Sequence, residues 1–220
     1  MNFNFNIYPV FVGLACGIGS SYFYLNSKSS RNQKCIYLIS VILFSIICAK
    51  AMFLITLPTY AYSIVQYMSF VNGGGFVFYG GLLGGLFITL IFLKYFKGYQ
   101  LEGLVPALCL AHCIGRVGCY LTGCCFGLKF GNWVIPIQII EATCLLLMFI
   151  YFHTHKSGIK GDIIKYLFIY AALRFVLEIF RGDIHRGIYF HLSISQWMSI
   201  TIVLALSFKY KLDSFKIKKS

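Results

Sequence analysis

Apolar residues run along this chain in seven long stretches, separated by short connections that are mostly polar. A helix needs about 20 predominantly apolar residues to cross the hydrocarbon core of a bilayer. The pattern therefore predicts seven transmembrane helices. Their expected positions are residues 7–25, 35–57, 76–94, 103–122, 136–152, 163–181 and 192–208. We expect a single all-α, polytopic membrane domain over residues 1–220.

Composition supports a membrane protein and excludes an ordinary soluble domain. Hydrophobic residues make up 59% of the 220 positions and charged residues only 11%, whereas about a quarter of the residues of soluble domains are charged. The first ten residues, MNFNFNIYPV, contain no basic region, and the first apolar stretch lacks a small-residue cleavage site. We therefore expect no cleavable signal peptide and take Met1 as the start of the mature chain.

The basic residues fall in alternate connections. Those after the first, third and fifth stretches, together with the C-terminal tail, hold 13 of the 19 Lys and Arg residues, while residues 58–75 hold none. Because cytoplasmic segments carry the Lys and Arg excess, the N-terminus is predicted outside and the C-terminus in the cytoplasm. Most of the net charge of +13 thus reflects membrane topology, and no nucleic-acid partner is expected.

The remaining basic residues lie within predicted helices or on the outer side: Lys50, Arg116, Lys129, Arg174, Arg181 and Arg186. At 1.5 Å per residue, Lys50 and Arg116 lie about 20 Å from the cytoplasmic ends of their helices. A cation at that depth costs about 3 kcal/mol and usually faces a protein interior or a water-filled cavity. The sequence therefore predicts a cationic site in the outer half of the bilayer.

Two interpretations of these charges remain open. Arg174, Glu178 and Arg181 are spaced i, i+4 and i+7 and share one helical face, so Arg174 could simply be neutralised by Glu178 while the others reach the interface. Alternatively, Glu178 and Glu141, with Asp183 at the rim of the outer half, are too few for the cations at this depth. The surplus would then bind an anion, for which a lipid phosphate is the natural candidate because guanidinium groups bind it with two hydrogen bonds.

Glycines cluster around the start of the third stretch, where the sequence reads VNGGGFVFYGGLLGG. Glycines permit close approach of a backbone to a lipid or to another helix. Close helix packing accounts for Gly81 and Gly85, whereas Gly73, Gly74 and Gly75 precede the helix and favour a bound lipid. Both explanations stay open.

Residues 115–127, GRVGCYLTGCCFG, resemble the signature of the prolipoprotein diacylglyceryl transferases, Gly-Arg-x-Gly-Asn-Phe-x-Asn-Gly-x-x-x-Gly. Three further segments follow in the family's order. FVFYGGLLGG (76–85) is similar to its Ser-His-Gly-Gly motif, RFVLEIFRGD (174–183) to its Arg-Phe-x-x-Glu-x-x-Arg motif, and SISQWMS (193–199) to its closing Ser-x-Ser-Gln segment. The resemblance implies the family's seven-helix fold with the N-terminus outside.

Three of the chain's departures from the family's pattern bear directly on the site. Tyr79 stands where the family has a functionally important His, Cys119 where it has Asn, and Cys124 where it usually has an acid. The chain thus resembles a divergent, GCC-type branch of the family. Each role implied by the resemblance therefore has to be argued for the residue that is present.

The resemblance implies transfer of the diacylglyceryl group of phosphatidylglycerol to the lipobox cysteine of a preprolipoprotein. Arg116 and Arg174 would hold the leaving phosphate, Glu178 would orient Arg174, and Tyr79 would contact the headgroup or act as base. The further residues expected to bind substrate are Arg181, Lys50, Gly80, Gly81, Gly118, Cys119, Gly127 and His112. No cofactor is expected.

Nine cysteines occur, and the five at positions 16, 35, 48, 109 and 144 lie in apolar runs, where Cys behaves as a small hydrophobic residue. Cys119, Cys124 and Cys125 cluster at the outer end of the fourth stretch. Their Cys-x4-Cys-Cys spacing differs from that of zinc motifs and no His pair lies nearby, so no metal is expected. A disulfide or plain packing remains open.

The leading hypothesis is thus a transferase in the bacterial cytoplasmic membrane, with phosphatidylglycerol as donor and a preprolipoprotein as acceptor. Two alternatives remain. One is a related lipid transferase with a different acceptor. The other is a lipid-binding or transport protein that has a similar site without the chemistry, although the chain shows no internal repeat of the kind that transporters often contain.

Overall fold

A computed structural model describes residues 7–56, 77–96, 98–155, 157–182 and 188–217. Its described part contains seven α-helices, which confirms the prediction of an all-α protein: α1 (Tyr8–Asn26), α2 (Arg31–Thr56), α3 (Phe78–Tyr95), α4 (Leu104–Leu121), α5 (Ile137–Thr154), α6 (Ile159–Ile179) and α7 (Ile194–Ile217). Two-stranded hairpins precede α5 and α7. The glycine run at residues 73–75 and Arg186 lie outside the described residues.

Helices α1 to α5 are each long and apolar enough to cross a membrane. The protein is therefore a polytopic membrane protein, as predicted. Helices α6 and α7 carry more charged side chains along their lengths. Whether all seven helices cross the bilayer, and on which side the termini lie, stay predictions.

Residues 28–100 form one compact unit, which we call the helix-pair unit because its described part consists mainly of α2 packed against α3. Ser30 and Gln33 form a capping box before α2: the Ser30 N–H donates to Gln33 Oε1 (3.0 Å) and the Gln33 N–H to Ser30 Oγ (3.4 Å). Farther along, the Tyr37 hydroxyl meets Thr89 Oγ1 at 2.8 Å between the buried faces of the two helices. This buried polar pair thus lies within the packing of α2 against α3.

Residues 1–27 and 101–220 form the second compact unit, the five-helix unit. Helix α4 packs against α1 on one side and α5 on the other, while α6 packs against α7 and also meets α4 and α5. A Cβ atom on Gly118 would lie 2.5 Å from Cβ of Phe11. Glycine at that position is therefore what allows α1 and α4 to approach so closely.

The hairpins are short and antiparallel, β1 (Lys129–Phe130) with β2 (Trp133–Val134) and β3 (Ile188–Tyr189) with β4 (Leu192–Ser193). A capping box begins α7 directly after β4, because the Ser193 N–H donates to Gln196 Oε1 (2.9 Å) and the Gln196 N–H to Ser193 Oγ (3.2 Å). The Ser-x-Ser-Gln segment that the sequence singles out therefore has a structural role at the start of this helix.

Candidate functional site

Glu141 lies at the centre of a buried ionic network in the five-helix unit. Its carboxylate is fully buried on α5 and is contacted by positively charged side chains from two other helices. Nε of Arg116 on α4 lies 3.1 Å from Oε2, and Nη1 of Arg174 on α6 lies 3.5 Å from the same oxygen. The Tyr170 hydroxyl donates to Oε1 at 3.1 Å. One carboxylate thus brings together the two arginines that the sequence selects.

Glu178 forms the second centre of the network, one turn after Arg174 on α6. Its Oε2 atom lies 2.6 Å from Nη2 of Arg174 and 3.3 Å from Nη1 of Arg181, a residue just beyond the end of the helix. The shared face that the i, i+4, i+7 spacing indicates is therefore a chain of ion pairs. Arg174 uses both ends of its guanidinium, one toward each glutamate.

The network carries more positive than negative charge. Counted over the described residues and with His112 neutral, it contains three guanidinium groups (Arg116, Arg174 and Arg181) and two carboxylates, which leaves one positive charge. The Nε–H of Arg116 makes no aligned hydrogen bond within the described part of the chain, although it pairs electrostatically with Glu141. The arrangement can therefore accept an anion in addition to its own glutamates.

His112 lies one turn before Arg116 on α4, at the edge of this network. Its Nε2 atom is 3.8 Å from Oε1 of Glu141, and its ring packs edge-on against Tyr170 with the ring centroids 5.1 Å apart. The residue is buried. This position brings its ring next to the carboxylate of Glu141.

Backbone hydrogen bonds tie the end of the glycine-rich signature to Arg181. The Leu128 N–H donates to the Phe180 carbonyl (2.8 Å), the Gly182 N–H donates to the Phe126 carbonyl (3.0 Å), and Gly127 forms an antiparallel bridge with Arg181. A Cβ atom on Gly127 would lie 2.5 Å from the Ile135 carbonyl oxygen. Gly127 thus serves close backbone packing that positions Arg181.

Four of the predicted site residues belong to the helix-pair unit. Tyr79 is buried at the start of α3, and Lys50 is buried on α2 with its ammonium 5.4 Å from the centroid of the Phe53 ring. A Cβ atom on Gly80 would lie 2.6 Å from the Cys48 carbonyl oxygen, whereas one on Gly81 would make ordinary contacts of 3.4 Å or more. Gly80 is therefore required for packing of α3 against α2, and Gly81 is not.

Cys119 is buried at the end of α4, and its sulfur lies close to those of Cys124 and Cys125 in the turn that follows. All three are free thiols. The turn is fixed to α5, because Gln138 Nε2 donates a hydrogen bond of 2.6 Å to the Cys124 carbonyl.

The sequence alone assigns neither Glu141 nor Tyr170 a role at the site. Glu141 is noted there only as one of the few carboxylates at the depth of the arginines. The signal that could have found Glu141 is its position as the sole acidic residue of the apolar helix α5, because ionisable groups within membrane helices are candidates for functional sites. For Tyr170, nothing in the linear sequence indicates that its hydroxyl reaches a residue on another helix.

Comparison with known proteins agrees with the family to which the motifs point. Residues 1–210 match the family described as prolipoprotein diacylglyceryl transferase. A phosphatidylglycerol–prolipoprotein diacylglyceryl transferase of Clostridium tetani is 31% identical over 66% of this chain and 66% of its own length. One from Clostridium perfringens is 34% identical over 67% and 66%, respectively. A relative of the same name from Dehalococcoides mccartyi is 31% identical over 50% of this chain and 52% of its own length.

The aligned region thus spans just under two thirds of the length of the first two relatives, whereas the family match runs through nearly the whole of this chain. The matched residues include every arginine and glutamate of the ionic network. The chain belongs to the prolipoprotein diacylglyceryl transferase family.

Proposed function

We propose that this protein transfers the diacylglyceryl group of phosphatidylglycerol to the thiol of a lipobox cysteine in a preprolipoprotein. The observation that carries the proposal is the convergence of Arg116 and Arg174, from two different helices, on the buried carboxylate of Glu141. Bacterial relatives named for this reaction support it. Their names also supply the donor and the acceptor.

The surplus charge of the network fits the proposed donor. A phosphodiester headgroup carries one negative charge, and the network has one positive charge beyond its own glutamates. In the reaction the thiolate sulfur forms a bond to the glyceryl carbon, the bond from that carbon to the phosphate oxygen breaks, and glycerol phosphate leaves. Because negative charge develops on the leaving phosphate, preorganised cations stabilise the transition state more than the bound substrate.

The proposed roles follow from the contacts. Arg116 and Arg174 bind the phosphate, and Glu178 orients Arg174 and Arg181 rather than removing a proton, since its Oε2 atom is engaged by both. Arg181 supports the same anion from the end of α6. We retain Tyr79 as a proposed headgroup contact. Lys50, Gly81 and His112 stay proposed members of the substrate site, which we place in the outer half of the bilayer of a bacterial cytoplasmic membrane.

Two other functions would use a similar cationic site. A lipid transferase with a different acceptor would release the headgroup of phosphatidylglycerol but would not label a lipobox peptide. A lipid-binding protein would bind the donor without releasing its headgroup. The direct test is therefore transfer of radiolabel from phosphatidylglycerol to a lipobox peptide by the purified protein, with headgroup release measured in the same reaction.

Conservative arginine variants test the proposed phosphate contacts. In Arg116→Lys and Arg174→Lys the charge stays, but the planar guanidinium that binds two oxygens at once is lost. We expect headgroup release to fall by about a hundredfold in each, as when one preorganised donor to a developing oxyanion is removed. Arg31→Lys, at the exposed start of α2, is the matched control and should keep its activity.

Glu178→Gln separates an orienting role from a base. We expect it to reduce turnover less than either arginine variant does if the carboxylate only orients Arg174. Turnover close to that of the unmodified protein in both arginine variants would contradict the phosphate-binding role. The same charges would then serve only to stabilise the helix bundle.

A further inference from the structure

Three cysteines of the signature segment bring their sulfur atoms together in space. Cys119 lies in the last turn of α4, and Cys124 and Cys125 follow in the turn after it. The three Sγ atoms all lie within 4.8 Å of one another. Linear spacing argues against a metal site, because Cys-x4-Cys-Cys does not match known zinc motifs, but the fold of the turn removes that objection.

The backbone of the turn is arranged to gather these side chains. Gly123 has φ +68° and Cys125 has φ +58°, the left-handed conformation that a residue with a Cβ atom rarely adopts. The Cys124 N–H donates to the Cys119 carbonyl at 3.1 Å, which closes the turn on the helix end. A left-handed conformation at Cys125 costs free energy, and it places two consecutive thiols beside a third.

The distances and surroundings fit a soft metal ion. Thiolates bind Zn²⁺ with Zn–S distances of about 2.3 Å in tetrahedral geometry, which places sulfurs roughly 3.8 Å apart. The observed limit of 4.8 Å is within reach of small side-chain rotations. Zn²⁺ balances two of the three thiolate charges, and Arg116, one turn before Cys119 on α4, is a positive charge close to the one that remains. Thr122 Oγ1 lies 3.6 Å from Cys124 Sγ and can donate to it when it binds a metal.

Two of the three cysteines are positions at which this chain departs from the pattern that it otherwise resembles. Cys119 stands in place of an Asn and Cys124 in place of an acid, and the adjacent Cys125 completes the set. Plain packing explains a buried Cys119, but it does not explain two half-buried thiols held beside it. The cluster thus belongs to the GCC-type pattern of this chain and not to the signature with Asn and an acid at these positions.

We propose that Cys119, Cys124 and Cys125 bind one Zn²⁺ ion and leave its fourth coordination position open to an external thiol. Within the described residues, the cluster supplies three ligands. Catalytic zinc sites commonly have three protein ligands and one open position. Cys124 and Cys125 are half-buried, and a Cβ atom on Gly123 would meet nothing within 4 Å. The cluster is therefore accessible from the side of the turn.

The open position matches the acceptor of the proposed function, and this half of the inference rests on that function. A thiol that coordinates a metal is deprotonated: the acceptor thiol would bind Zn²⁺ as a thiolate and release its proton to solvent. That thiolate is the nucleophile that forms the carbon–sulfur bond as glycerol phosphate leaves. A metal-bound thiolate would supply the nucleophile without a side chain acting as base.

Metal content and cobalt spectra test the site without phosphatidylglycerol. The full chain is purified under reducing conditions, loaded with Zn²⁺ or Co²⁺, freed of excess metal, and examined by elemental analysis and absorption spectroscopy. We expect one Zn²⁺ per chain and a sulfur-to-cobalt charge-transfer band, both lost in Cys124→Ser and Cys125→Ser. Cys113→Ser, on α4 but outside the cluster, is the control and should keep both.

Adding N-acetylcysteine methyl ester should shift the cobalt spectrum if the fourth position accepts a thiol. A substoichiometric metal content, an unchanged cobalt spectrum in Cys124→Ser, or a disulfide joining two of the three cysteines in the purified protein would overturn the metal site. A cobalt spectrum that the added thiol leaves unchanged would overturn the open position. Because none of these readouts uses the lipid, they stand apart from the transfer assay, whose failure would reject the proposed function alone.

Discussion

Replacing Glu141 with Gln removes the charge on which Arg116 and Arg174 converge and changes almost nothing in side-chain volume. The carboxylate is fully buried and meets the two guanidinium groups at 3.1 and 3.5 Å. An interaction with a charged group contributes about 1.5–3 kcal/mol, and a neutral oxygen keeps about half of that. Weakening both contacts therefore costs about 1.5–3 kcal/mol.

The surplus charge of the network adds to this cost. It rises from one positive charge to two when Glu141 becomes neutral, and an uncompensated buried charge costs about 3 kcal/mol or more. We therefore expect the free energy of unfolding to fall by about 5 kcal/mol, measured by SDS titration of the purified protein in mixed micelles. Headgroup release should fall as well, because the two arginines lose the group that fixes their separation.

Glu102→Gln is the matched control, since it makes the same chemical change in the connection before α4, outside the network. If Glu141→Gln unfolds within about 0.5 kcal/mol of this control, the range usual for surface substitutions, and keeps its turnover, then Glu141 does not organise the site. The network would in that case be held by Glu178 and by helix packing.

Two further predictions concern α3. Gly80→Ala should destabilise the protein by about 1–3 kcal/mol because its Cβ atom would overlap the α2 backbone, whereas Gly81→Ala should leave the free energy of unfolding nearly unchanged; equal effects in the two variants would contradict this packing. Tyr79→Phe should lower headgroup release and Tyr79→His should keep it, because His occupies this position in the family pattern; full turnover in the Phe variant would remove the hydroxyl from the mechanism.

The arginines and their partner on α6 can be identified from sequence because bilayer energetics restrict the choices. A charged residue in an apolar helix needs a partner or a ligand, and helical spacing alone places Arg174, Glu178 and Arg181 on one face. Motif resemblance selects Arg116 and Arg174 independently. Helical spacing and motifs are both properties of one helix or one segment of the chain.

Contacts between helices cannot be obtained in that way. The role of Glu141 depends on α4, α5 and α6 meeting at one point, and the Gly80 contact depends on the register of α3 against α2. Sequence spacing assigns close packing to Gly81 and Gly85, while the structure places the tightest contact of α3 with the α2 backbone at Gly80 and leaves Gly81 in ordinary contact. A shift of one residue rotates a helical position by about 100°, so small differences in register decide which glycine faces the neighbour.

By itself, the sequence determined the all-α membrane architecture, the family, and the residues that carry charge into apolar helices, because hydropathy, helical period and motifs are properties of short stretches of chain. Tertiary structure alone decided that Glu141 contacts both arginines and that Gly127 supports the backbone at Arg181. It also decided that the sulfur atoms of three cysteines lie within 4.8 Å of one another, although their spacing differs from that of zinc motifs. The physical reason is that each of these depends on distances between side chains brought together by helix packing and turn conformation, which residue order does not encode locally.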